Sequence, residues 1–118
     1  MLNVKRVYDP PEPGDGIRIL IDRLWPRGLK KEDARLDEWR KDLAPSDELR
    51  KWFGHQAEKW DEFKARYRRE LTDTGKVADL QALKDRSRKQ EITVLYSAKE
   101  HQYNNATALK QLIEKLEG

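Results

Sequence analysis

The chain has 118 residues, 36% apolar and 40% charged, which suits one compact domain with an ionic surface. Its net charge of +3 is spread over interleaved cations and anions, unlike a nucleic-acid-binding arm, and the absence of cysteine excludes disulfides, thiolate metal sites and a cysteine nucleophile. The start lacks the apolar run of a signal peptide and no stretch approaches the roughly 20 apolar residues of a membrane span, so we expect a cytoplasmic protein with no membrane partner.

Branched and aromatic residues predict a first strand over residues 3–8 and a second over 17–22. One face of the second strand holds Ile17, Ile19 and Ile21, and the other holds Arg18, Leu20 and Asp22. The Pro- and Gly-rich loop DPPEPGDG between the strands is long enough for an open hairpin and short for a helical crossover. We therefore expect these two strands to pair antiparallel.

Helical spacing of apolar residues begins near residue 33. A first short helix should carry Leu36, Trp39 and Leu43 on one face and end at Pro45. A second should begin at Ser46 as N-cap and stop at Gly54. Apolar stripes predict a longer helix over 57–72 and another from about residue 77.

The segment ITVLY, residues 92–96, is almost continuously apolar, which is typical of a strand covered on both faces. A final helix should follow, capped by Asn104 or Asn105 and ended by Gly118. The helices between the second and third strands form a long crossover, which places those two strands parallel. The order predicts a single α/β domain over 1–118, Rossmann-like, with a mixed or parallel sheet of about three strands and packed helices.

Two polar loops follow the two parallel strands and should meet at the carboxyl edge of the sheet, where ligands bind in such folds. Arginine forks and the free N–H groups of the final helix favour a phosphate or nucleotide-type anion as the small-molecule ligand. The candidate ligand-binding residues are Arg23, Trp25, Arg27, Ser97, Asn104 and Asn105. The competing interpretation is structural, with Asp22 only pairing with Arg23 or Lys99 and Trp25 only capping the core.

Three side chains are candidates for catalysis. Asp22 could position an arginine or take a proton, Lys99 could neutralise the anion, and His55 could act as general acid or base if its loop folds over this edge. A lone loop histidine is more often solvated or structural. Hydrolysis or group transfer at a phosphate or sugar suits these groups best, and the sequence leaves open whether the protein is an enzyme.

The usual cofactor motifs are absent. GxGxxG, GxxxxGK[ST], HExxH and GxSxG do not occur, so we predict no cofactor. Two separated histidines without thiols predict no metal site.

Two other function classes stay open. The basic segments KARYRRE and KDRSRK could follow a nucleic-acid backbone, with Trp25 or Tyr103 stacking on a base, although acidic residues dilute both segments. Alternatively, the protein is a non-catalytic interaction or regulatory protein in which the corner DRLWPRG is structural.

Four segments together resemble a known family across almost the whole chain. They are RVYDPP near the start, DRLWPRG, the stretch from WFGH through KWDEFKARYRREL, and TVLYSAKEHQYNNA. They resemble the YeaO-like branch of the family catalogued as domain of unknown function 488. The resemblance implies a small cytoplasmic prokaryotic protein with a compact α/β fold and no established reaction.

The resemblance also singles out characteristic positions. They are Asp22, Arg23, Trp25, Pro26, Arg27, Gly28, Trp52, Phe53, Gly54, His55, Lys99, Asn104 and Asn105. The family commonly has Asp-Pro after WFGH, whereas this chain has Gln56 and Ala57, so the local turn departs from the pattern.

Overall fold

The computed structural model describes residues 1–116 as a parallel sheet with the longer helices on one face and with loops and a one-turn helix on the other. The elements in chain order are β1 (Leu2–Arg6), β2 (Ile17–Leu20), α1 (Lys31–Ala34), β3 (Glu38–Trp39), α2 (Asp47–Phe53), α3 (Trp60–Asp73), α4 (Val77–Lys89), β4 (Ile92–Tyr96) and α5 (Asn105–Glu114). Short 3₁₀ turns occupy 13–15, 41–43 and 57–59. The predicted α/β class is confirmed, with four strands instead of about three.

The strand order is β1-β4-β2-β3, and every pairing is parallel. The parallel relation of β2 and β4 is confirmed, with Ile19 opposite Val94. The expected antiparallel pairing of β1 and β2 is wrong, because β4 lies between them and pairs with both. All five residues of β4 are buried, so the most apolar strand takes a central place where both faces are covered.

The loop from β1 to β2 acts as a crossover without a helix. It lies over the sheet, where Asp15 pairs with Arg18 at 2.6 Å and with Lys5 at 3.1 Å, and its carbonyl accepts from Thr93 at 2.7 Å. Asp15 and Arg18 are both buried. Burial raises the pKa of Asp15, but hydrogen bonds from the Glu12 backbone, Lys5 and Arg18 outweigh it and lower the pKa overall. The buried carboxylate of this loop is therefore neutralised by two cations, Lys5 and Arg18.

The two faces of β2 pack as the alternation predicts. Ile19 and Ile21 are fully buried against the helices. Leu20, on the other face, packs with Val7 and Leu95 in a smaller cluster that Trp25 and Trp39 cover.

The expected helix around Leu36, Trp39 and Leu43 is wrong. Only the one-turn helix α1 forms before this segment. Its C-cap, Arg35, is in the left-handed region (φ 47°), and β3 then pairs with β2. The unpaired edge of β2 supplies backbone partners, and the indole of Trp39 packs edge-on against that of Trp25 at 5.2 Å. These nonlocal contacts outweigh three apolar residues at helical spacing.

The other helix boundaries follow their local signals. The Ser46 hydroxyl accepts from the Leu49 N–H, and Gly54 ends α2 in the left-handed region with φ 53°. Asn104 caps α5 by accepting from the Thr107 N–H. Helix α5 ends at Glu114, and Gly118 lies outside the described residues. None of the helices over residues 1–116 is long and apolar enough to cross a membrane.

Candidate functional site

The loops after β2 and β4 meet at the carboxyl edge of the sheet, as predicted. Asp22 lies just beyond β2, Ser97 just beyond β4, and Asn105 begins α5. The side chain of Asp22 contacts the other two residues directly. The topology therefore gathers residues that lie 75 to 83 positions apart in the sequence.

The two loops border two adjoining cavities of about 210 and 250 Å³, which we call the edge cleft. Both cavities are lined by Asp22, Pro45, Arg50, Ser97 and Asn105. One is otherwise lined by Phe53, His55, Phe63 and Ala98. The other is otherwise lined by Tyr8, Arg23, Leu24, Trp25, Pro26, Arg27 and Ala44. The cleft thus has one aromatic lobe and one cationic lobe.

Asp22 is held from three directions. Its Oδ1 accepts from Asn105 Nδ2 at 2.8 Å, and its Oδ2 accepts from the Ser97 N–H at 2.9 Å. Its main-chain oxygen accepts from the indole Nε1 of Trp39 at 2.7 Å. The carboxylate is therefore fixed at the junction of the two lobes, and each of its oxygens keeps further acceptor capacity.

The three arginines of the cleft differ in what their guanidinium groups do. Arg23 donates to the carbonyls of Pro45 at 2.8 Å and Ala44 at 3.3 Å, so it holds the loop that precedes α2. Arg27 has no side-chain partner within residues 1–116, and Arg50 has only Asp47 at 3.6 Å. Two exposed guanidinium groups thus remain for an anion.

Sequence reasoning missed Arg50. It lies on an exposed position of α2, one turn after the N-cap, and nothing in the local pattern separates it from the other surface arginines. Only the packing of α2 beside the sheet edge brings it into both lobes.

His55 does reach the edge cleft, as hypothesised. Its backbone is in the left-handed region with φ 57°, an uncommon conformation for a residue other than glycine. Its Nδ1 lies 2.9 Å from the Tyr103 carbonyl, which can only accept, so Nδ1 carries the hydrogen. The imidazole is thus oriented by the loop before α5, while no described hydrogen bond joins it to Asp22 or Ser97.

The model of the family described as the inactive DUF488-N3 subclade matches residues 1–117. This chain belongs to that subclade. It is 45% identical to the protein YeaO of Escherichia coli strain K12 over 115 residues, which cover 98% of each chain.

A second relative also matches this chain over nearly its whole length. The protein Rv3073c of Mycobacterium tuberculosis strain H37Rv is 43% identical over 112 residues, covering 95% of this chain and 92% of its own. Both relatives are described as uncharacterized. No solved structure shows a significant match. The predicted YeaO-like resemblance is confirmed.

Several positions that the DUF488 resemblance singled out have roles within the fold. Asn104 is fully buried, and its side chain caps α5 and donates to the Glu100 carbonyl at 3.0 Å. The indole Nε1 of Trp25 donates to the Leu29 carbonyl at 2.6 Å. Lys99 is exposed and lines neither lobe of the edge cleft. Of the three candidate catalytic residues, the structure brings Asp22 and His55 to one lobe and leaves Lys99 outside it.

No group of three or more metal-ligating side chains occurs within residues 1–116. The polar side chains that line the edge cleft include one carboxylate, three guanidinium groups of which Arg23 donates within the fold, an imidazole, an amide and the hydroxyls of Ser97 and Tyr8. This set can bind an anion that also carries hydrogen-bond donors.

Proposed function

We propose that the protein binds a small phosphate-bearing molecule in the edge cleft without turning it over. The observation that carries the proposal is that one cleft is lined by a fixed carboxylate, Asp22, by the unpaired guanidinium group of Arg27 and by that of Arg50, whose single ion pair is an exposed one with Asp47 at 3.6 Å. A phosphate would bind to the guanidinium groups, which match its oxygens in forked geometry.

The carboxylate narrows the class of ligand. Asp22 repels a bare anion, but its free lone pairs accept hydrogen bonds from hydroxyl groups. A molecule with a phosphate at one end and hydroxyls nearby satisfies both halves of the cleft, as a sugar phosphate or a nucleotide does. We therefore expect such molecules to bind more tightly than inorganic phosphate.

Binding without turnover has two supports. The subclade is described as inactive. In addition, His55 donates from Nδ1 to the Tyr103 carbonyl, and no described hydrogen bond or ion pair joins its ring to a nucleophile or to a carboxylate. A histidine that acts as general base is normally oriented by a carboxylate and lies within hydrogen-bond reach of the nucleophile that it activates.

Thermal unfolding with inorganic phosphate, ribose 5-phosphate and AMP tests the proposal. A ligand at 100 times its dissociation constant stabilises the native state by about 2.7 kcal/mol, which raises the Tm of a domain of this size by about 10 °C. We expect ribose 5-phosphate or AMP to reach a given shift at one-tenth or less of the concentration that inorganic phosphate needs. Chromatography after overnight incubation should return the ligand unchanged.

Matched arginine variants localise the binding. Arg50→Gln should abolish the shift, and Arg27→Gln should weaken it. Arg69→Gln removes an exposed arginine on α3 that does not line the edge cleft, and it should leave the shift intact. Equal shifts in all three variants, or no shift with any of the ligands, would contradict the binding proposal, and a converted ligand would contradict the absence of turnover.

The nucleic-acid hypothesis has weaker support. Within the basic segments, Arg66 pairs with Glu62 and lies over the Trp52 ring, and Arg86 pairs with Glu38 at 3.1 Å. These ion pairs interrupt the row of cations that a phosphate backbone would need. A mobility shift that weakens with salt, and weakens further in Arg66→Glu, would favour this alternative.

A further inference from the structure

A second cavity, of about 600 Å³, lies between α3, α4 and α5 and shares no lining residue with the edge cleft. We call it the α3 groove. Its apolar lining consists of Ala65, Leu71, Val77, Leu80, Leu112 and Leu116. Lys84 of α4 donates to the Leu116 carbonyl, which holds the chain after α5 against α4.

The shape of the groove is set by one face of α3. Its lining on this helix recurs at spacings of three and four residues, at Asp61, Lys64, Ala65, Arg68, Leu71 and Thr72. At 1.5 Å per residue, this face is about 16 Å long, or three helical turns. A helix of three to four turns from a partner would lie along it.

Apolar side chains form six of the eleven residues that line the groove. Val77 is 43% exposed and is one of only a few large apolar side chains left exposed within residues 1–116. It lies beside buried leucines, so covering it would extend an existing apolar surface. Such a rimmed apolar surface is typical of a docking site for an amphipathic helix.

The rim of the groove is cationic on two sides. Lys64 and Arg68 lie on the α3 side and Lys115 follows α5, against a single acidic residue, Asp61. Asp61 is 3.8 Å from Lys64 and offsets part of its charge. Arg68 and Lys115 have no ion-pair partner in the described part of the chain. The complementary partner therefore carries acidic side chains on both flanks of an apolar stripe.

We propose that the α3 groove binds an amphipathic helix of a partner protein, with leucine-type residues facing α3 and acidic residues flanking them. This interaction is independent of the edge cleft, and a protein described as inactive could act through it as a binding module. The expected recognition pattern is apolar residues at i, i+3, i+4 and i+7 with Glu or Asp beside them.

The test uses a defined probe, a fluorescein-labelled helical peptide of 15 residues with Leu in that pattern and Glu on its flanks. A twin peptide carries Lys in place of every Glu. Fluorescence anisotropy with the full chain should give at least tenfold tighter binding for the acidic peptide. Equal binding of both peptides, or binding of neither, would overturn the proposal.

Two pairs of variants tie the binding to the groove. Arg68→Glu and Val77→Glu place a negative charge within it and should each weaken the acidic peptide at least tenfold. Arg69→Glu and Ala78→Glu make the same kind of change one residue along the same helices, outside the groove, and should change the affinity less than twofold. Circular dichroism of each variant checks that it is folded. The assignment would be overturned if Arg69→Glu weakened binding as much as Arg68→Glu, and Ala78→Glu as much as Val77→Glu.

Other occupants give distinguishable results. A concentration-dependent dimer in light scattering that Val77→Glu abolishes would assign the groove to a second copy of the chain. A 12-nucleotide RNA that displaces the peptide at lower concentration would assign the cationic rim to nucleic acid. Either result would overturn the proposal without bearing on ligand binding at the edge cleft.

Discussion

Asn105 Nδ2 donates to Asp22 Oδ1 at 2.8 Å and to the Ile21 carbonyl at 2.9 Å. One amide thus ties the first turn of α5 to the end of β2. Because Asp22 also accepts from the Ser97 N–H after β4, the three segments are fixed around a single carboxylate. The edge cleft owes its shape to this junction.

Asn105→Ala should destabilise the protein by about 1–3 kcal/mol, because it removes the Asn105 donor from Oδ1 of the half-buried Asp22 and from the Ile21 carbonyl. Urea denaturation measures the change as a lower midpoint at unchanged slope. Asn3→Ala removes one exposed hydrogen bond to Glu91 and serves as control, with an expected loss below about 1 kcal/mol. Equal losses in both variants would mean that the junction contributes no more to the free energy of unfolding than one exposed hydrogen bond does.

The backbone of His55 gives a second prediction. At φ 57°, Asn is tolerated, whereas a β-branched residue is strained by about 1–2 kcal/mol. Both His55→Asn and His55→Val lose the imidazole contact with the Tyr103 carbonyl, so their difference isolates the backbone. We expect His55→Val to unfold at lower urea than His55→Asn. Identical midpoints would assign the whole effect to the lost side-chain contacts.

Gly16 allows a sharper backbone test. Its φ is +64°, and a Cβ there would clash with the carbonyl oxygen of Glu91, the residue before β4. Gly16→Ala should therefore cost about 2–4 kcal/mol from the left-handed conformation and the clash together. Gly14→Ala, where a Cβ meets nothing within 4 Å, should be neutral or stabilising by about 0.4–1 kcal/mol. Thermal unfolding of the two variants compares them, and similar Tm values would contradict the clash.

Asp42 predicts an acid-sensitive contribution to stability. The hydrogen bond from Arg40, opposed by partial burial and assisted by Lys76, lowers the pKa of Asp42 from 3.8 to about 2. Between these values the unfolded chain binds more protons than the folded one, so the contribution is present above pH 4 and is lost as the pH falls towards 2. Asp42→Asn should flatten this part of the stability curve.

Salt provides the control for the pH prediction. The Asp42 side chain is 36% exposed, so 1 M NaCl should screen its pairing with Arg40 and Lys76 and reduce the acid-dependent loss in the unmodified protein. Urea midpoints between pH 2 and 5 measure both effects. A curve that Asp42→Asn leaves unchanged would assign the acid sensitivity to other carboxylates.

Short-range signals in the sequence determined much of the fold. Alternation placed Ile19 and Ile21 against the helices, Ser46 and Gly54 bounded α2, and the apolar run at 92–96 formed a buried strand. Each of these three features depends on contacts within a few residues or on the burial of an entire segment. A single sequence carries both kinds of information.

The candidate site was predicted only in part. Parallel pairing of β2 and β4 was enough to bring Asp22, Ser97 and Asn105 to one edge. The individual roles were only partly accessible: Asn104 caps α5, as one of the two cap residues that the sequence offered, whereas Arg23 donates to carbonyls within the fold and Arg50 reaches the cleft only through the packing of α2.

The sequence by itself determined the α/β class, most helix boundaries and the convergence of two loops at the carboxyl edge. Tertiary structure alone decided that β4 lies between β1 and β2, that Trp39 joins a strand instead of a helix, and which arginines line the edge cleft without donating to its backbone. The physical reason is that strand order and side-chain partners depend on groups far apart in the chain. Their hydrogen bonds and burial outweigh local propensity once the fold brings them together.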